Sequence, residues 1–90
     1  MNTLTPFYYA AAVVNKKTNE CISFMFMNDS ISEVEDCIKR VLQDGKYIKY
    51  EFVVCMRDDD QKFTNYLYAI QLIDGCFIKN MVTPDDNIHF

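Results

Sequence analysis

Three consecutive aspartates, Asp58, Asp59 and Asp60, make the densest acidic point in this 90-residue chain, with Arg57 and Lys62 on either side. Carboxylates packed this closely can hold a divalent cation or grip an Arg/Lys surface. Asp is also favoured in turns, where its side chain bonds its own backbone, so a solvated hairpin turn is the plainest reading of the cluster. The two flanking cations would partly neutralise a metal site. Of the binding roles, pairing with a basic partner is therefore preferred over metal. Asp85 and Asp86 offer the same chemistry from a polar segment near the C-terminus.

Other reactive groups are sparse. The only histidine is His89, one residue from the C-terminus, which is a poor place to anchor a Cys–His dyad. No G-x-S-x-G, P-loop, G-x-G-x-x-G or H-E-x-x-H pattern occurs. The two glycines, Gly45 and Gly75, read as a helix end and a hairpin turn, which leaves none for a loop that cradles phosphate. We expect no catalytic residue, no metal and no cofactor.

Net charge is −4 and the pI is near 4.7, which disfavours direct binding of nucleic acid or of an anionic membrane. Lys49-Tyr50-Glu51-Phe52-Val53-Val54 alternates aromatics as RNA-binding strands do, but it lacks the glycines and carries Glu51. Its aromatics read as core. Six tyrosines and no tryptophan are present. Tyr8, Tyr9, Tyr47, Tyr50, Tyr66 and Tyr68 all fall on strand segments, and any left exposed together would mark a contact surface.

The cysteines are Cys21, Cys37, Cys55 and Cys76, each inside an apolar segment and none in C-x-x-C spacing. They read as reduced, buried thiols, not as disulfides or a zinc site. No Lys or Arg precedes the apolar run that ends at Val14, so no signal peptide is expected. That run is also far short of the roughly 20 residues a bilayer span needs. Together with the initial Met1, this leads us to expect a complete small cytoplasmic protein.

The elements that must position these groups follow from periodicity. Phe7–Val14 and Glu20–Met27 read as a strand hairpin, the second strand placing Ile22, Phe24 and Phe26 on one face and Ser23, Met25 and Met27 on the other. Ile31–Asp44 reads as a helix. Ser30 and Glu33 suggest a capping box, Ile31, Val34, Ile38, Val41 and Leu42 form an apolar stripe, and Gly45 ends it. Glu35–Lys39 and Asp36–Arg40 are spaced for i,i+4 ion pairs. Tyr47–Met56, Phe63–Ile73 and Cys76–Val82 read as strands. Asp74-Gly75 suits a two-residue type I′ hairpin that pairs Ile73 with Cys76, Leu72 with Phe77, Ile70 with Lys79 and Tyr68 with Met81.

The predicted fold is one α+β domain over residues 1–90, frayed at 1–5 and 84–90. Its order is β-β-α-β-β-β, a mainly antiparallel five-stranded sheet packed on one amphipathic helix. The strand order is not readable. A 14-residue helix is about 21 Å long and about 10 Å wide. Five strands span roughly 20–24 Å, so the helix covers about two of them. Yet both faces of the strands are apolar. Three covers suit the remainder: the sheet curling with the tail across it, a homodimer, or another protein.

From these features we expect a small acidic non-catalytic binding protein that inhibits or regulates a macromolecular partner. By analogy with immunity proteins and phage anti-defence proteins, that partner is a basic nucleic-acid-handling enzyme. Asp58, Asp59, Asp60, Asp85 and Asp86 would bind it. The alternative is a self-associating structural subunit without an enzymatic target.

Overall fold

The computed structural model describes residues 7–81. The frayed ends expected from the sequence, and with them Asp85, Asp86 and His89, lie outside the described residues. The elements are β1 (Tyr9–Asn15), β2 (Cys21–Asn28), α1 (Ile31–Asp44), β3 (Tyr50–Arg57), β4 (Phe63–Ile73) and β5 (Cys76–Met81). They form one five-stranded sheet in the order β2-β1-β3-β4-β5, with every neighbouring pair antiparallel and the helix packed on it. The α+β architecture matches the sequence reading.

The strand order has a simple cause. Because β2 and β3 both pair antiparallel to β1, they run parallel to each other with β1 between them. A parallel relation needs a crossover, and α1 supplies it. That leaves β1 inside the sheet, between β2 and β3, and covered on both faces. Ala10, Ala11, Ala12, Val13 and Val14 are all buried, which explains why this strand shows no polar alternation.

The helix has the bounds its sequence predicts. Gly45 takes the left-handed conformation at φ 74° and its N–H reaches the Leu42 carbonyl at 3.2 Å. The N-terminus departs from the capping box. Ser30 has extended backbone, but its side chain makes no cap hydrogen bond and shares one with Ser32 instead, at 2.9 Å. The expected Glu35–Lys39 pair is also replaced. Glu35 bonds Lys79 on β5 at 2.8 Å and accepts the Tyr68 hydroxyl on β4, because these partners reach it in a half-buried site where a surface neighbour gains less.

The β4–β5 hairpin has the register that Asp74-Gly75 implies, with Ile73 opposite Cys76 and Tyr68 opposite Met81. Both turn residues have positive φ, 51° at Asp74 and 80° at Gly75, as a type I′ turn requires.

Elsewhere the strands are less regular than their sequences suggest. In β2 the pairing with β1 slips twice, and each slip places an extra residue in β2. Phe26, at φ 58°, marks one of them. The predicted face assignment for this strand fails there. Met25 and Phe26 both pack on the helix side, Phe24 packs on the opposite side, and Ile22 is exposed. Two further slips bulge β4, so Leu67 joins Tyr68 on the helix side when simple alternation would oppose them. Boundaries also shift. Phe7 and Tyr8 precede β1, and Tyr47, Ile48 and Lys49 form a turn closed by the Tyr50 N–H to the Tyr47 carbonyl at 3.1 Å.

The core lies on both faces. On the helix side Val34 and Ile38 meet Ala11, Val13, Phe52, Val54 and Ile70. On the other side Ala10, Ala12, Val14, Val53, Cys55, Phe63 and Ala69 are buried, with Cys21, Phe24 and Tyr66 packed against them. The Phe24 and Phe63 rings approach to 5.2 Å between centroids. They stand on β2 and β4, three strand spacings or roughly 14 Å apart in a flat sheet. The bulges therefore curl β2 and β4 toward each other, and the small side chains of Ala10 and Ala12 leave room for the rings above β1. This curl answers much of the shortage of cover that one helix leaves.

Candidate acidic binding face

The acidic loop joins β3 to β4, and Asp58 organises it. Its Oδ1 accepts the N–H groups of Asp60 at 2.8 Å and Lys62 at 3.0 Å, and its Oδ2 accepts the Thr64 hydroxyl at 2.9 Å. The Asp58 N–H donates to the Lys62 carbonyl at 2.7 Å, and the Gln61 N–H returns to the Asp58 carbonyl at 3.0 Å. The Lys62 amide, then the Thr64 hydroxyl and the Asp60 amide, hold the Asp58 carboxyl below its ordinary range. Asp58 is thus a turn-former of the kind its residue type suggests. Asp59 and Asp60 stay exposed at the loop tip.

Beside the tip lies an aromatic floor. Tyr8 precedes β1, and its carbonyl accepts the Arg57 N–H at 2.9 Å. The Arg57 guanidinium sits 4.3 Å from the Tyr8 ring centroid. This stacking directs the nearest cation onto an aromatic face. Tyr8, Met56, Arg57, Asp58, Asp59 and Gln61 line a shallow groove of about 320 Å³. Asp29, in the β2–α1 connection, accepts the Tyr8 N–H at 3.1 Å and adds an exposed carboxylate. Phe7, Tyr8 and Met27 are 40%, 50% and 43% exposed at this same end of the sheet.

Of the residues singled out from sequence, the structure therefore brings Asp58, Asp59 and Asp60 into one loop with divided roles. Sequence reasoning missed Asp29 and the Arg57–Tyr8 stack. The dense acidic run drew attention away from a single aspartate whose place beside Tyr8 depends on the strand order.

Other titratable groups serve the fold. Burial alone would raise the Glu35 carboxyl, but hydrogen bonds from Lys79 and Tyr68 outweigh it and hold the group below its ordinary value. Tyr68 is pushed upward by burial and by Glu35. Burial pushes the Cys55 thiol up to about 12, while its S–H donates to the Ala10 carbonyl at 3.3 Å. Cys21 is raised by burial as well. All four cysteines are free, but only Cys55 is fully buried. Cys21 and Cys37 are half-buried, and Cys76 is exposed, because it ends a two-residue turn at the sheet edge. At the opposite end of the sheet, Tyr47, Ile48, Tyr50, Leu72 and Ile73 contribute to a pocket of about 260 Å³.

Among the described residues no group of three or more His, Cys, Asp or Glu side chains is placed to hold a metal ion. No helix among them is long and apolar enough to cross a membrane. Comparison with known proteins finds no matching family model, curated protein or solved structure.

Proposed function

We propose that this is a non-catalytic binding protein that inhibits or regulates a macromolecular partner through the acidic end of its sheet. The observation that carries this reading is the loop held by Asp58, which offers Asp59 and Asp60 on a fixed backbone beside the exposed Tyr8 and Phe7. Protein interfaces favour this arrangement, an apolar aromatic centre with charges at the rim. A preformed loop also loses little conformational freedom on binding. The chain's net charge of −4 adds steering toward a basic surface. A basic nucleic-acid-handling enzyme suits that charge. Its cationic cleft attracts phosphates, and carboxylates lodged there would exclude them. Asp85 and Asp86 would extend the same charge.

The test is affinity capture from the native host, comparing the wild type with the Asp59→Lys/Asp60→Lys double variant. The reading expects a basic partner that the wild type retains at low salt and releases as salt rises. The double reversal should weaken this binding at least about tenfold. A partner held equally by both proteins, with the same salt dependence, would remove the acidic loop from the mechanism.

A further inference from the structure

The two edges of the sheet are treated differently. β2 carries two bulges and a positive-φ residue, devices that twist an edge away from outside strands. β5 has none of these. Its pairing with β4 is uninterrupted over six residues, it contains no proline, and Cys76, Ile78, Asn80 and Met81 are exposed. Its only charged residue is Lys79, the kind that usually guards an edge. Here Lys79 pairs with Glu35 on the helix at 2.8 Å and lies over the Tyr68 ring, so it leans toward its own chain while its side chain stays 53% exposed.

Residues that border a two-residue turn exchange both backbone hydrogen bonds. Cys76, Ile78 and Asn80 are therefore bonded toward β4. The backbone groups of Phe77, Lys79 and Met81 point to the outer edge. We propose that this edge pairs with β5 of a second copy of the chain, antiparallel and centred on Ile78, to give a two-fold symmetric dimer with a continuous ten-stranded sheet.

The register follows from what β5 places opposite itself. In a continuous sheet, opposed residues share a face, so the two-fold axis passes through a residue and not between two. Centring on Lys79 would oppose two lysines, which is unfavourable. Centring on Ile78 opposes Ile78 to itself, sets Phe77 across from Lys79 twice, and sets Cys76 across from Asn80 twice. Each Lys79, held by Glu35 of its own chain, then borders the Phe77 ring of the second copy, whose other neighbour is that copy's own Lys39 at 5.6 Å, and the two Lys79 side chains do not oppose each other. That self-complementarity is the ground for choosing a second copy over a foreign strand. The acidic loop lies at the far end of β4 from the turn that begins β5, so the dimer leaves the binding face of each copy open. The two readings stand or fall separately.

Light scattering on the eluting wild-type protein, at concentrations from about 1 µM to about 1 mM, should show mass rising from 10.6 kDa toward twice that value. Ile78→Glu and Ile78→Lys should each weaken the dimer at least about tenfold, and an equal mixture should restore it as a one-to-one heterodimer. An Asn80→Cys variant treated with oxidised glutathione should form a covalent dimer that disappears when Cys76→Ser is added. A wild type that stays at single-chain mass throughout overturns the proposal. So does a dimer indifferent to Ile78→Glu, or an Asn80→Cys cross-link that survives without Cys76.

Discussion

Asp58, Asp59 and Asp60 are adjacent and chemically identical, and they do different work. Three donors converge on the Asp58 carboxylate, while Asp59 and Asp60 remain solvated at the tip. Because these donors hold its folded pKa below the unfolded value, the loop geometry is fully present above about pH 4 and is lost as pH falls through the lower, folded pKa. In an amide-resolved NMR titration, the Asp60 and Lys62 amides should therefore shift together with a midpoint below that of a free aspartate. In Asp58→Ala both should already sit at their released positions at neutral pH. Amides that ignore the substitution would show that the loop holds itself by backbone alone. The cluster's position was legible in the sequence, as was the turn chemistry of aspartate. The division of labour was not, since it depends on which carboxylate faces Thr64 and Lys62 once the loop closes.

At the scale of elements, legibility tracks how local the cause is. The helix bounds follow from a stripe of apolar residues and a terminal glycine, and the β4–β5 register follows from two turn residues. Both causes lie within a few residues of their effect. The bulges in β2 and β4 have no such signature. Phe26 adopts φ 58° without being glycine or asparagine, so what keeps it there is the packing of the curled sheet, not its own preference. The curl can be measured through Phe24 and Phe63. A double-mutant cycle with Phe24→Ala and Phe63→Ala, read by denaturant unfolding, should return a coupling of about 1 kcal/mol. Additive losses would mean that the rings do not meet, and that something else covers Ala10 and Ala12.

At the scale of the whole molecule, four thiols report on how the fold opens. Cys76 is exposed, whereas Cys55 is buried at the centre of the sheet with its thiol pushed up to about 12. A thiol-reactive reagent at mildly alkaline pH should modify Cys76 at once. It should reach Cys55 only at the rate of global unfolding, since β3 has a neighbour on each side. Fast modification of Cys55 in a folded sample would place an opening of the sheet between β1 and β3. The sequence offered the burial of these segments but not their order. The crossover that sets β1 between β2 and β3 is a long-range choice.

That crossover also orders events in time. While the chain emerges from the ribosome, β1 and β2 can zip together as soon as both are out, but the other side of β1 waits for a strand some forty residues downstream, as the pairing of Ala10 with Cys55 shows. Until then the nascent hairpin carries a bare ladder and a stripe of alanine and valine with no lid. Contacts of such wide separation make for slow closure. The tempo of translation through α1 therefore decides how long this protein spends in its stickiest form.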